Sequence, residues 1–122
     1  MLDSSDKAVA RVVRYYELVD DGDIPGLLDL FTPDAVYERP GYPAMTGREE
    51  LDSFFSDKRV IAGGKHTLRE TVAGEDVVAA HGDFTGTLRD GREVSVRFAD
   101  FFTVGEDGRF SRRDTYFFSP LV

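Results

Sequence analysis

The hydrophobic pattern of this chain changes period once, near Lys65, and that change restricts the fold more than any motif does. Before it, Val9, Val12, Val13, Tyr16 and Val19 recur at helical spacing and mark one apolar stripe. After it, apolar and polar residues alternate, which predicts strands over about 65–73, 76–88, 92–104 and 109–118. Asp90–Gly91 and Asp107–Gly108 fall between these runs, where a tight hairpin needs positive φ. Helices followed by an antiparallel meander make an α+β domain.

The helical part has its own punctuation. Ser4 or Ser5 can cap the first helix, and Gly22 can end it by taking a left-handed conformation. Asp23 is placed to cap a short second helix with Pro25 in its first turn. Leu27, Leu28, Leu30 and Phe31 form its buried side, and Thr32–Pro33–Asp34 stops it. A short strand is expected over 35–39 and a loop over 40–46. Thr46 with Glu49 reads as a capping box for a third helix that runs to about Lys58 and buries Leu51, Phe54 and Phe55. Gly63–Gly64 is expected to end that segment. The predicted order is α-α-β-α-β-β-β-β in one domain spanning 1–122, a length that fits a single core.

Charge and composition narrow the partners. Fifteen Lys and Arg against 23 Asp and Glu give a net charge of −8, which disfavours phosphate backbones and anionic membranes. With no cysteine and two histidines, thiolate chemistry and Cys- or His-rich metal centres are excluded, and no cofactor is implied. The first residues carry no basic n-region and no long apolar run, so a cytoplasmic location is the default expectation.

A curved sheet covered by helices leaves a concave site for a small organic molecule, and alternation decides which side chains enter it. Asp100 stands out within Phe98–Ala99–Asp100–Phe101–Phe102, because a buried carboxylate needs either a partner or a proton. Arg97 and Arg112 are the candidate partners. His81, Asp83 and Thr85 share a strand face, so His81 either forms a proton relay with Asp83 or is a satisfied core histidine. Phe110, Arg112, Asp114, Tyr116 and Phe118 are assigned to one face of the last strand. Asp114 is then either catalytic or part of a charge pair at the mouth. Tyr16 follows the apolar stripe, which leaves Tyr15 to point its phenol into the site. Tyr37, Tyr42 and Met45 are candidates for the mouth, and Phe98, Phe102 and Tyr116 for the walls. The outer sheet face, expected to carry Phe101, Thr103, Thr115 and Phe117, is apolar enough to predict a homodimer.

Arg14–Tyr15–Tyr16, Gly22–Asp23, Leu30–Phe31, Asp34–Ala35, Glu38–Arg39–Pro40 and Gly47 together resemble the first half of ketosteroid isomerases. Phe98–Ala99–Asp100–Phe101–Phe102 followed by Gly108–Arg109–Phe110 resembles their last hairpin, and the likeness extends to SnoaL-like polyketide cyclases of the nuclear transport factor 2-like superfamily. The resemblance implies a cone, a strongly curved antiparallel sheet wrapped around the N-terminal helices. It implies Tyr15 as the oxyanion-hole tyrosine and Asp100 as its partner acid, a carboxylic acid kept neutral to donate. The isomerase base would fall at Arg39, which cannot lose a proton near neutrality. Arg39 therefore counts as substrate-binding, and the base is expected among His81, Asp83 and Asp114. Three functions remain open: a cofactor-independent cyclase or isomerase for a polyketide-like or terpenoid-like molecule; an epoxide hydrolase of the limonene epoxide hydrolase type, with Asp83 and Asp114 as its acids; or a non-catalytic binding or assembly module.

Overall fold

The computed structural model describes residues 4–119. Helix α1 spans Ser4–Asp21, α2 Ile24–Leu28 and α3 Arg48–Ser53, the last continuing into a π-turn at Phe54–Lys58. Strands β1 (Phe31–Glu38), β2 (Met45–Thr46), β3 (Ile61–Ala73), β4 (Val77–Leu88), β5 (Glu93–Val104) and β6 (Phe110–Phe117) form one curved, unclosed sheet in the order β2-β1-β6-β5-β4-β3. All neighbours are antiparallel except β1 and β6, which run parallel. The helices cover the concave face, where Val12, Tyr15, Leu27, Leu51 and Phe54 meet Ala80, Phe84, Phe98 and Phe102 in one core. The expected α+β cone is present. Among the described residues no helix is long and apolar enough to cross a membrane.

Local chemistry explains most boundaries. Gly22 ends α1 at φ 74°, and Asp23 caps α2 by accepting from the Gly26 N–H at 3.0 Å. Gly91 and Gly108 take φ 91° and 83° in the two hairpin turns. The start of α1 coincides with the limit of the described residues, so its capping lies outside them.

Four expectations change. First, α2 stops at Leu28, and Phe31 opens β1, four residues earlier than predicted. The β1–β6 register shifts between Phe31 and Val36, which lets Pro33, lacking an N–H, sit within the strand. Second, the Thr46–Glu49 capping box does not form. Thr46 belongs to β2 and its N–H donates to Glu50 Oε1 at 2.9 Å, while Gly47 at φ 89° precedes α3. Third, Gly63–Gly64 lies inside β3 and does not end a segment. Fourth, β6 has the opposite phase from Arg112 onward: Arg113 and Thr115 are buried on the concave side, while Arg112, Asp114 and Tyr116 face outward. The outer face therefore carries Phe101 and Tyr116, in edge contact at 5.9 Å, and not Thr115 or Phe117.

Glycines make the concave face of β3 and β4 possible. Gly64 pairs with Gly86, and the Phe84 ring lies across both; a Cβ on either would stand 2.5 Å from the ring's tip. Gly82 lies against the β3 backbone, and a Cβ there would be 2.4 Å from the Thr67 carbonyl oxygen. Backbone cannot yield as a flexible side chain does. Gly82→Ala should lower stability by about 1–3 kcal/mol, the usual cost of overpacking, read as a lower urea midpoint with an unchanged slope.

Candidate functional site

Asp100 on β5 is fully buried at the centre of the cone, and donors surround it. Arg113 on β6 donates from Nη2 to Oδ2 at 2.9 Å. The Tyr16 hydroxyl donates to the same oxygen and the Thr115 hydroxyl to Oδ1. Arg113 also donates from Nη1 to the Tyr15 hydroxyl at 2.5 Å, and its guanidinium lies 4.5 Å over the Tyr37 ring and 4.7 Å over Tyr15. Thr115 Oγ1 is 3.3 Å from the Tyr37 hydroxyl, to which Arg39 donates at 3.4 Å. One polar network thus joins α1, β1, β5 and β6.

The charge pattern differs from the expected one. A guanidinium has no lone pair, so Asp100 can only accept at its contact with Arg113. The ion-pair partner is Arg113, not Arg97 or Arg112. The resemblance implied Tyr15 beside the acid, but Tyr16 holds Asp100 and Tyr15 holds Arg113; both phenols are buried. Desolvation pushes both phenols above their usual range, with the Asp100 charge adding to the effect and Arg113 opposing it.

Beside this network lies a small cavity of about 30 Å³. His66, Phe84, Phe98, Arg113, Thr115 and Arg39 contribute to its walls. That volume holds one water-sized group. Arg113 Nε is buried with no hydrogen-bond partner among the described residues. Arg39 closes the site from the mouth, its guanidinium 5.2–5.3 Å from the rings of Tyr42, Phe54 and Phe117.

The histidine at this cavity is His66, which sequence reasoning missed. Its Nδ1 stands 2.6 Å from Asp20 Oδ1, and its backbone N–H donates to Asp20 Oδ2 at 2.9 Å. Asp20 comes from the last turn of α1, so one carboxylate fixes both the β3 backbone and the imidazole. The His66 ring packs 5.1 Å from Tyr16, 4.7 Å from Phe84 and 5.4 Å from Phe98. Tyr16 therefore touches His66 with its ring and Asp100 with its hydroxyl.

The other candidates separate into two groups. Phe98 lines the cavity, Tyr37 joins the polar network, and Phe102 is core beneath Arg113. Met45 is buried in β2, and Tyr42 accepts from the Val60 N–H at 3.0 Å near the mouth. His81, Asp83, Asp114 and Tyr116 are not brought to Asp100; they stand on the outer face. His81 is 3.8 Å from Glu70, and Arg69 grips Asp83 at 2.7 and 3.1 Å, holding its carboxyl below the usual range. Arg112 holds Asp114 at 2.9 and 3.0 Å and also pairs with Glu38. His81 and Asp83 share a face as expected, but Gly82, Phe84 and Gly86 occupy the concave one. Among the described residues no group of His, Asp and Glu is arranged to hold a metal.

A family model, that of the SnoaL-like domain, matches residues 12–113. Among solved structures, the epoxide hydrolase/cyclase-like enzyme SalBIII, associated with pyran ring formation in the polyether salinomycin, superposes with a TM-score of 0.84 at 20% identity, covering 95% of this chain and 94% of that one. A putative polyketide cyclase from Xanthomonas campestris pv. campestris gives 0.79 at 22% identity, over 93% and 92%. An NTF2-like protein of unknown function from Burkholderia pseudomallei gives 0.81 at 21%, over 91% and 90%. At such identities the likeness is one of fold.

The raised phenols fix a sign for alkaline pH. Tyr15 and Tyr16 keep their protons in the fold beyond pH 10.0, their ordinary value, and lose them on unfolding. Their contribution to stability is whole below pH 10 and falls as pH rises above it. Tyr16→Phe should flatten this alkaline decline, measured by urea unfolding from pH 8 to 11.

Proposed function

This chain belongs to the SnoaL-like domain family, and from that premise we propose that it is a cofactor-independent acid/base enzyme, a cyclase or isomerase acting on a small, largely apolar molecule. The observation that carries the reading is the Asp20–His66 pair at the wall of the cavity that also meets Arg113. With Nδ1–H directed at Asp20, the lone pair of His66 Nε2 serves as proton acceptor, and Asp20 stabilises the imidazolium that forms. The unpartnered Nε–H of Arg113 is the donor for oxyanion charge developing on the substrate, with Asp100 holding that guanidinium in place. The proton then returns from His66 to the rearranged skeleton, so the enzyme ends as it began.

In this reading His66 replaces His81, Asp83 and Asp114 as base, and Tyr15 and Asp100 act by positioning Arg113. The epoxide-opening alternative loses support because its two acids, Asp83 and Asp114, lie on the outer face with arginine partners. A substrate larger than the present cavity enters by displacing Arg39 and Phe117, the half-buried groups at its edge. The small volume itself favours the second reading, a binding module whose cone is packed with aromatic rings.

Incubating the protein with a panel of cyclisation and isomerisation precursors, with no added cofactor, separates the two. The expected result is turnover that His66→Gln lowers by about 10²–10⁴-fold, the usual share of a positioned base, with Asp20→Asn intermediate. Turnover unchanged in His66→Gln would remove His66 from the chemistry. Binding without turnover of any precursor would favour the module.

A further inference from the structure

A second, larger concavity lies just outside the mouth. It is a cleft of about 530 Å³ between the β1–β2 loop, the π-turn and the β4–β5 turn. Lys58, Arg59, Arg89 and Arg92 line it against a single carboxylate, Asp90. Asp90 is already committed: Arg92 donates to it from Nε at 2.8 Å and from its backbone N–H at 3.0 Å. Arg89 spends its donors on two backbone carbonyls, Arg59 O at 2.8 Å and Ser56 O at 3.2 Å, so its charge is held in place but not neutralised. Among the described residues, neither Lys58, Arg59 nor Arg89 has a carboxylate partner within ion-pair distance. Three uncompensated cations sit together in a chain whose net charge is −8.

Arg59 is the most telling of them. Its guanidinium lies 5.8 Å over the Phe55 ring, and its Nε is buried without a hydrogen-bond partner. A buried donor left unmade costs free energy. Burial lowers the pKa of this guanidinium, the Tyr15 and Tyr37 phenols oppose that, and the neighbouring charges of Arg39 and Arg89 add to it. An arriving anion would offset the repulsion from those neighbouring charges. The cleft also adjoins the cone: Val60 lines one and Ile61 the other, and the Tyr42 ring at the cleft carries the Arg39 guanidinium of the cavity wall.

We propose that this cleft is an anion-binding site, in which Arg59 and Lys58 receive the carboxylate or phosphate end of a ligand whose apolar part enters the cone. The site rests on the reading of the cone as a ligand pocket only in its second half, because anion binding needs the cleft alone. The substrate class is then an acidic amphiphile, anchored by its charge outside the mouth and presenting an apolar segment to His66.

Two measurements on the full chain at fixed ionic strength test this. The first follows the Arg59 Nε–H resonance during titration with inorganic phosphate; a saturable shift is expected, and none would overturn the site. The second compares 1-octanol, octanoate and octyl phosphate by calorimetry. One or both anions should bind at least about tenfold more tightly than the alcohol, the scale of one charge-assisted hydrogen bond, and the tighter one identifies the headgroup. Arg59→Gln should reduce that preference to under about threefold while leaving binding of the alcohol unchanged. Lys58, exposed and with no ion pair or side-chain hydrogen bond among the described residues, gives a second variant, Lys58→Gln, that folds whatever Arg59→Gln does and should reduce the preference partly. A preference unchanged in both variants, or absent in the wild type, overturns the proposal. A phosphate-induced shift with no gain from the octyl chain upholds the anion site and removes the cone as the place for the apolar part.

Discussion

The buried pairing of Asp100 with Arg113 is the interaction on which the rest of the cone depends. Taking two charges out of water costs several kcal/mol for each ion, and the attraction repays this only when the geometry is close and the remaining lone pairs are filled. The fold supplies both. Tyr16 from α1 and Thr115 from β6 complete the carboxylate, while Tyr15 and the faces of Tyr37 and Phe102 complete the guanidinium. These residues come from α1, β1, β5 and β6, so the pair is satisfied only when all four elements are in place. Losing one partner strands the other, at a cost of about 3–5 kcal/mol. The pair therefore specifies how the helices seat on the sheet more than it adds to net stability, and it leaves a rigid, oriented Arg113 beside the cavity.

How much of this was legible in the sequence depended on parity. The change of period at Lys65, the two Asp–Gly turns and the burial of Asp100 were all readable, because each rests on local chemistry. The phase of β6 was not. Phe110 and Arg113 are both buried although three residues apart, which simple alternation forbids; register irregularities on both sides of β6 permit it. On β4 the two faces were sorted correctly but assigned the wrong way round. Gly82, Phe84 and Gly86 looked like an empty face beside His81 and Asp83. On the concave side of a curved sheet, small residues are what a large ring needs to lie flat, so glycine alternating with phenylalanine marks the interior.

His66 was hidden for a different reason. Its partner, Asp20, is 46 positions away and belongs to the last turn of a helix. Around His66 on β3 the sequence is polar on both faces, and a bulge between Leu68 and Glu70 shifts the register again. No local pattern links a helix-terminal aspartate to a mid-strand histidine. The signal that was available was elimination: only two histidines exist, and His81 sits next to the Gly82 that faces inward.

Electrostatics ties the two sites together. The chain is acidic overall, yet Arg39, Arg59 and Arg113 all stand over aromatic rings around one end of the cone. Stacking on rings lets a guanidinium be desolvated without a carboxylate beside it, because the ring face supplies negative potential but cannot cancel the charge. Asp100 neutralises the deepest of the three. Arg59, with Lys58 and Arg89 at the cleft, keeps a positive field at the mouth of an otherwise negative molecule, and such a field in a low-dielectric cleft attracts anions and orients them charge-outward. In the proposed reading, an apolar segment attached to that charge points toward His66, the imidazole at the cavity wall. Orientation of this kind is what a small domain with no metal-binding cluster among its described residues can offer to chemistry.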